Sequence, residues 1–413
     1  MRILVLTDVV PHPEGHTSGE QLVYHRLRPL ADMHEIVFAY VNRRKILAAK
    51  TSPQLPYQLV ELPTSPSPTH SPTPYSSDLS RILHSWQHTL FDDRPKILDE
   101  HKQPELSAAI SSFVREYKPE VIHVVGLLML TRLPQVSQPV IGELVDMWSR
   151  GHWQKKDLLS KPTHKFQYWV DGLKIERIER QQLKRIQIAI TTSEFEKAAI
   201  QRLAPKLTTQ VMPPSVDTEY FQPIRGIQEP ATLLYSGQMG SKTNVEAVMY
   251  FYREILPRIR QAVPNVRLVI AGRNPTPEIQ GLADESVVIT GKVPDIRPFF
   301  ARASIAIVPL LHGTGVRNKI IEAWAMERAV VSTRLGAEGL CGNDGEHLWL
   351  ADNPQDFAHH IISLLNNPVQ RDTMGKRGRE LVISQYSLTV AAKRKNEIYQ
   401  QFAQSEQRGT NRN

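Results

Sequence analysis

A lysine and a glutamate follow two closely spaced glycines in the C-terminal half of the chain. An apolar run ends at Pro309, the next loop carries Gly313 and Gly315, and an apolar-periodic helix then places Lys319 and Glu322 on its first turns. Glycine lets backbone approach a ligand closely, and the free amides at a helix N-terminus attract anions. Lys319 can neutralise phosphate charge, and Glu322, three positions on, can accept two hydrogen bonds from a ribose diol. The segment therefore predicts a site for a nucleotide diphosphate.

The elements that would position these residues alternate between short apolar strands and amphipathic helices, which is typical of parallel sheets covered by helices. A chain of 413 residues is long enough for two or three domains, and 41% apolar with 22% charged residues is ordinary for a globular protein. The predicted strands form two series, separated by a proline-interrupted break at residues 211–224: 2–7, 35–40, 121–125, 140–144 and 188–192, then 232–236, 267–271, 287–290, 305–308 and 329–333.

Two short motifs carry a family resemblance. The pattern Gly-x-x-Asn-Lys-x-x-Glu-Ala runs from Gly315 to Ala323, and Gly-Ala-Glu-Gly runs from Gly336 to Gly339. Both resemble the donor-binding region of glycosyltransferase family 4, the retaining sugar transferases of the GT-B fold, and in particular a branch concerned with exopolysaccharide assembly. Many members of the family carry a glutamate eight positions before the one equivalent to Glu322, where this chain has Thr314.

The resemblance implies an α/β protein of the GT-B fold, with two doubly wound Rossmann-like domains facing a central cleft. On this basis we expect an acceptor-side domain at residues 1–210 and a nucleotide-sugar-binding domain at residues 211–385. Residues 386–413 are expected to form a helix that packs back on the first domain, followed by a polar tail.

The same resemblance implies roles for the residues around the glycine loop. Lys319 and Thr314 are the expected catalytic positions, with Lys319 stabilising the leaving diphosphate electrostatically. Glu322 is expected to anchor the ribose. The remaining donor contacts in this segment are expected from the loop and the start of its helix: Gly313, Gly315, Val316 and Asn318.

Five further residues are candidates for donor binding. Gly237 and Lys242 follow the first strand of the second series, and Arg273 and Glu338 follow later strands of the same series. Gly19 lies in the first strand-to-helix loop of the chain, where a backbone contact to the donor phosphates is plausible. Simple turn or surface roles remain alternatives for Gly19, Lys242 and Arg273. His123, within a predicted strand, is interpreted as a core histidine hydrogen-bonded to backbone.

The resemblance implies a transferase that moves a sugar from a UDP- or GDP-linked donor to a glycan or lipid-linked acceptor, with retention. No cofactor or metal is expected, because a lysine and a helix N-terminus take the place of a cation and no carboxylate pair has metal spacing. Two alternatives remain open: a catalytically weak GT-B subunit of a polysaccharide assembly complex, and a sugar-nucleotide epimerase of the same fold.

Charge and cysteine content bear on the surroundings of the protein. Cys341 is the single cysteine, which excludes an intramolecular disulfide framework and indicates a reducing compartment. No apolar window is long enough for a spanning helix, so a cytoplasmic location is expected. The net charge of +8 invites a nucleic-acid partner, but no nucleic-acid-binding motif is present.

The segment between Trp148 and Arg185 is basic and aromatic, which suits peripheral contact with an anionic membrane, expected at the inner face of the cell membrane. Its apolar residues Phe166, Trp169 and Leu173 recur at helical spacing together with Val170. Such a stripe more often packs against the core of its own domain. The sequence thus favours a solvated helix packed on its domain, with membrane contact as the second hypothesis.

Overall fold

A computed structural model describes residues 1–9, 23–24, 27, 30–41, 57–63, 104–313 and 315–410. Two compact units emerge from the contacts between residues. The N-terminal unit comprises Met1–Met212 together with Ala392–Asn413, and the C-terminal unit comprises Pro213–Ala391.

The described part of the N-terminal unit contains one parallel sheet in the order β3-β2-β1-β4-β5-β6-β7. Its inner strands are buried along almost their whole length, as parallel strands covered on both faces must be. The strands are β1 (Arg2–Thr7), β2 (Glu35–Tyr40), β3 (Gln58–Glu61), β4 (Val121–Val125), β5 (Val140–Glu143), β6 (Ile188–Thr191) and β7 (Thr208–Val211).

Helices follow the strands of this unit and cover the sheet. They are α1 (Pro104–Tyr117), α2 (Leu127–Arg132), α3 (Trp148–Leu158), α4 (Pro162–Leu183) and α5 (Glu194–Leu203). The last helix of the chain, α13 (Leu388–Thr410), contributes Ile398 and Tyr399 to a core that also contains Ile3 and Ile190. The chain therefore returns to its first unit at its end.

The C-terminal unit contains a six-stranded parallel sheet in the order β10-β9-β8-β11-β12-β13, with a core that includes Trp324 and Tyr235. Its strands are β8 (Thr232–Ser236), β9 (Arg267–Ala271), β10 (Val287–Gly291), β11 (Ile305–Val308), β12 (Ala329–Ser332) and β13 (Trp349–Leu350). Its helices are α6 (Lys242–Tyr250), which continues through a π-helical turn (Phe251–Ile255) into α7 (Leu256–Ala262), then α8 (Pro277–Gln280), α9 (Arg297–Arg302), α10 (Asn318–Ala325), α11 (Pro354–Asn366) and α12 (Pro368–Gln385).

The α/β fold class and the two parallel sheets confirm the fold expected from sequence. All ten predicted strands are present, with ends that agree to within one residue. The apolar stripe on α4 was predicted to pack against the core of its own domain. Phe166, Trp169 and Leu173 are 43%, 46% and 44% exposed, so the interpretation of these three side chains as core residues is wrong.

His123 is fully buried, as a core histidine should be, and two side chains contact its ring nitrogens. Its Nδ1 lies 2.6 Å from the Tyr399 hydroxyl, and its Nε2 lies 3.0 Å from a carboxylate oxygen of Glu143. Among the described residues, no helix combines the length and the apolar character that crossing a membrane requires.

Candidate functional site

The strand order of the C-terminal unit defines a crevice at the carboxyl ends of β8 and β11. From β8 the chain proceeds to β9 on one side, and from β11 it proceeds to β12 on the other, so the direction of winding reverses between these two neighbours. In open α/β sheets, ligands bind at such a switch point, outside the carboxyl ends of the strands. The loop after β11 and the start of α10 hold most of the residues predicted from sequence.

Lys319 reaches from α10 across to β8. Its Nζ donates to Asn244 Oδ1 at 3.1 Å and lies 3.9 Å from the centre of the Tyr235 ring. The Tyr235 hydroxyl donates to the same Asn244 oxygen at 2.7 Å, and Asn244 Nδ2 donates to the carbonyl of Gln238 at 2.9 Å. The ammonium group is therefore held over the crevice by groups from the β8 side.

The absence of a side chain at Gly237 leaves space for the Lys319 ammonium group. A Cβ atom at Gly237 would lie 3.0 Å from Lys319 Nζ and 3.2 Å from Asn244 Nδ2. On the other side, a Cβ at Gly272 would come within 1.6 Å of the Gly237 carbonyl oxygen, so only glycine fits there. Backbone hydrogen bonds join the same loops, from Gly237 to Ala271 at 3.0 Å and from Met239 to Arg273 at 2.9 Å.

The loop between β11 and α10 has the backbone of a ligand loop. Gly313 and Gly315 both adopt positive φ, at 118° and 83°, which side chains disfavour. A Cβ at Gly313 would lie 2.9 Å from Nη2 of Arg317, so this guanidinium lies against the loop. Arg317 precedes α10 by one residue and was not among the residues predicted from sequence.

The electrostatics of this group of residues favour an anion. Burial, together with the smaller effect of the neighbouring positive charge of Arg317, lowers the pKa of Lys319 to about 7. Burial also raises the pKa of Glu322 to about 7, against the opposing effect of Lys319. Two neighbouring cations disfavour one another, and an anion close to both would stabilise them.

The other predicted residues are distributed around this centre. Glu322 lies one turn after Lys319 on α10, and Val316 and Asn318 are half-buried beside it. Arg273 and Glu338 are also half-buried, in the loops after β9 and β12, which are the strands next to β8 and β11.

Lys242 lies at the surface, because its side chain is 86% exposed and its Nζ lies 3.6 Å from Glu246 Oε1. Thr314 and Gly19 lie outside the described residues. The structure thus brings Gly237, Gly313 and Lys319 together and leaves Lys242 at the surface.

Sequence reasoning missed three residues that hold Lys319 or adjoin it: Tyr235, Asn244 and Arg317. Arg317 had a usable signal, because it is a second cation two positions before Lys319. Tyr235 and Asn244 had none, since Tyr235 belongs to an apolar strand and Asn244 to a helix 75 residues away from Lys319. Their contacts with Lys319 can be recognised only once β8 and β11 are known to be neighbouring strands.

A family model described as Glycosyl transferases group 1 matches residues 230–367, most of the C-terminal unit. Over 209 residues the chain is 26% identical to a phosphatidyl-myo-inositol mannosyltransferase of Mycobacterium tuberculosis, covering 47% of this chain and 54% of that protein. Over 95 residues it is 30% identical to LpsE, a lipopolysaccharide core biosynthesis glycosyltransferase of Rhizobium meliloti, covering 22% of this chain and 28% of LpsE. A 44.6 kDa protein in the cps region of Klebsiella pneumoniae is 26% identical over 148 residues, 33% of this chain and 37% of that protein. The chain therefore spans about half or less of the curated relatives it matches.

Solved structures match over nearly the whole chain. Sucrose-phosphate synthase from Thermosynechococcus elongatus superposes with a TM-score of 0.73 at 17% identity, covering 98% of this chain and 100% of that one. Anabaena HepE in complex with UDP superposes with a TM-score of 0.67 at 13% identity, covering 97% and 100%. The chain has the fold of the GT-B glycosyltransferases, and its C-terminal unit matches the family Glycosyl transferases group 1.

Proposed function

We propose that this protein is a retaining glycosyltransferase of family 4, in its exopolysaccharide-associated branch. It takes a sugar from a UDP- or GDP-linked donor and transfers it to a glycan or lipid-linked acceptor in the biosynthesis of cell-surface polysaccharide. The observation that carries the proposal is the position of Lys319 over the β8–β11 crevice, between Gly237, Asn244 and Tyr235. A mobile surface lysine would not be held in this way.

The names of similar proteins support the donor and the acceptor class. HepE has been solved with UDP and with UDP-glucose, which makes a nucleoside diphosphate sugar the natural donor to test. LpsE acts in lipopolysaccharide core biosynthesis, and the mycobacterial relative is a mannosyltransferase of phosphatidyl-myo-inositol. Both names concern glycolipids, so a lipid-linked or glycan acceptor is the corresponding expectation here.

In this proposal, different residues of the crevice bind the donor and stabilise its leaving diphosphate. Lys319 and Arg317 neutralise the charge of the diphosphate, and the backbone amides of the loop from Gly313 to Val316 donate hydrogen bonds to its terminal oxygens. Charge grows on the β-phosphate as the glycosidic bond breaks, and fixed donors stabilise that charge most in the transition state. Glu322 holds the ribose. No metal forms part of the proposal, since the two cations and the helix N-terminus supply the positive charge.

A membrane partner is part of the proposal, and the exposed stripe on α4 supports it. Residues 148–185 hold ten Lys and Arg against four Asp and Glu, so six of the chain's eight net positive charges lie in this segment. The exposed Phe166, Trp169 and Leu173 recur at intervals of three and four residues, on one face of α4. Phe195 on α5 is 52% exposed and lies under the Arg150 guanidinium at 5.7 Å. A segment with many cations and several exposed apolar side chains suits the surface of an anionic bilayer at the cytoplasmic side.

Release of nucleotide from a panel of UDP- and GDP-sugars, with and without glycan and lipid-linked acceptors, tests the proposed activity. We expect wild-type protein to release nucleotide and Lys319→Ala to lower turnover by about 10²-fold or more, while weakening donor binding less. Glu322→Gln should weaken donor binding by about 1–3 kcal/mol. Binding of nucleotide without release from any donor would favour a non-catalytic subunit, and conversion of the donor sugar without release would favour an epimerase.

A further inference from the structure

A histidine and a glutamate join the loop after β11 to α6, the helix that follows β8. His312 directly precedes Gly313 in the loop after β11, and Glu246 lies on α6, the helix that follows the loop after β8. The imidazole Nε2 donates to Glu246 Oε2 in a short hydrogen bond, and Nδ1 lies 3.5 Å from the hydroxyl of Thr243, also on α6. Sequence reasoning did not connect these residues, which are 66 positions apart.

The pair is close enough to the glycine loop to fix its position. A Cβ at Gly313 would lie 3.2 Å from Cγ2 of Thr243, so the loop rests on the first turns of α6. His312 is 26% exposed and Glu246 39% exposed, which leaves both accessible from the mouth of the crevice. Glu246 also faces Lys242 Nζ with its other oxygen, at 3.6 Å. One carboxylate therefore holds a side chain of the β11–α10 loop against the helix that follows β8.

We infer that His312 and Glu246 are a positioning pair that holds the amides of Gly313, Gly315 and Val316 where the β-phosphate of the donor binds. The inference rests on the proposed function, because it assigns the pair to the diphosphate and not to the ribose or the base. The loop can shift on α6 when this pair is removed, and a small displacement of backbone donors costs much of their effect. Lys319 lies beyond the loop, on α10, and keeps its own contact with Asn244.

The choice of nucleotide makes the test specific. UDP and GDP carry the β-phosphate, whereas UMP and GMP lack it and share every other group. We expect His312→Ala and Glu246→Ala each to weaken binding of the diphosphate about tenfold while changing monophosphate affinity less than about twofold. The double variant should bind the diphosphate no more weakly than either single variant, because both changes remove the same link. His312→Gln retains a side-chain donor and should recover most of the affinity.

A matched control is available in the same unit. His347 also lies beside a carboxylate, with Nδ1 3.8 Å from Glu346 Oε2, but it precedes β13, the edge strand two positions away from β11 in the sheet. His347→Ala should leave both affinities unchanged. Equal weakening of mono- and diphosphate by His312→Ala, no weakening at all, or additive effects in the double variant would each overturn the inference. Failure of wild-type protein to bind any of the four nucleotides would instead contradict the proposed function itself.

Discussion

Lys395 Nζ lies 2.8 Å from Glu143 Oε2, and neither side chain is more than 3% exposed. The same carboxylate oxygen lies 3.0 Å from His123 Nε2, and the other nitrogen of this histidine contacts the hydroxyl of Tyr399. A buried ionic network thus fastens α13 to β4 and β5 of the N-terminal unit. A buried charge without its partner costs far more than the pair contributes, so this network specifies where the end of the chain packs.

We expect Lys395→Met to lower the free energy of unfolding of the N-terminal unit by about 3–5 kcal/mol, because it leaves the Glu143 carboxylate buried without its lysine. Adding Glu143→Gln should recover much of that loss. Hydrogen exchange of β4 and β5, with urea unfolding, measures both. Lys393→Met is the control, since Lys393 is exposed on the same helix and its loss should cost less than about 0.5 kcal/mol. Equal effects at the two lysines would contradict the role of the network.

The sequence predicted the strands of the two sheet interiors because these are buried on both faces and read as continuous apolar runs. It missed β3, β7 and β13. Gln58–Glu61 and Thr208–Val211 are only partly buried edge strands, and Trp349–Leu350 has two residues. Such segments have no periodicity that distinguishes them from loops. The stripe on α4 was misplaced for a related reason: helical spacing shows which residues share a face, but not whether another element covers that face.

The candidate site divides along similar lines. Lys319 and the glycines were predictable because they lie within one short segment with a local pattern. Tyr235 and Asn244 contact Lys319, and His312 fastens the glycine loop to α6. These contacts form only because β8 and β11 are neighbouring strands. Lys242 was a candidate through its position near a glycine, but its side chain extends into solvent toward Glu246. Local patterns therefore indicated the ligand class, and tertiary contacts determined which side chains hold the lysine.

Glu179 makes stability depend on pH. Its fully buried carboxylate accepts from the backbone N–H of Ser149 at 3.1 Å, at the start of α3, and burial raises its pKa to about 7. A carboxyl whose pKa is higher in the folded state than its unfolded value of about 4.5 contributes stability that is complete below that value and is lost as pH rises through 7.

Glu179→Gln should therefore flatten the pH dependence of unfolding between pH 5 and 8. At pH 8 the variant should be more stable than wild type by up to about 3 kcal/mol, the equivalent of the pKa shift, since glutamine can still accept from Ser149. Urea unfolding at several pH values measures this. Glu194→Gln, a change at a side chain that is 73% exposed, should follow the wild-type curve. A variant at residue 179 that is less stable than wild type at every pH, pH 8 included, would contradict the destabilising effect of ionising this buried carboxyl.

Binding of a diphosphate near neutral pH should take up protons. The pKa of Lys319 is about 7, and a phosphate dianion beside the ammonium group raises it, so the lysine becomes fully charged on binding. Calorimetry of UDP and GDP binding at pH 7.5, in buffers of different ionisation enthalpy, measures the uptake directly. Lys319→Arg keeps the positive charge at every accessible pH and should bind with little uptake. Proton release by wild-type protein, or equal uptake by the arginine variant, would assign the titration to another group.

The surface of α3 and α4 should bind anionic vesicles in a salt-sensitive manner. Exposed cations attract lipid headgroups over about a Debye length, and Phe166, Trp169 and Leu173 can enter the interface below them. We expect replacement of Lys155, Lys156 and Lys161 by glutamate to reduce sedimentation with acidic vesicles by tenfold or more, since each cation near the surface contributes about 1 kcal/mol. Replacement of the three apolar residues by serine should weaken the binding that persists at high salt, while the initial electrostatic attraction remains.

The control for charge reversal carries the same change in net charge at a different place. Lys376, Arg377 and Lys393 are exposed and lie outside residues 148–185, so their replacement by glutamate lowers the net charge equally without altering α3 or α4. If this control lost vesicle binding as fully as the Lys155, Lys156 and Lys161 variant, attraction would depend on net charge alone and not on a docking face. If neither triple variant changed the partitioning, α4 would be a solvated helix whose apolar stripe has another partner, and concentration-dependent self-association would then be the measurement to make.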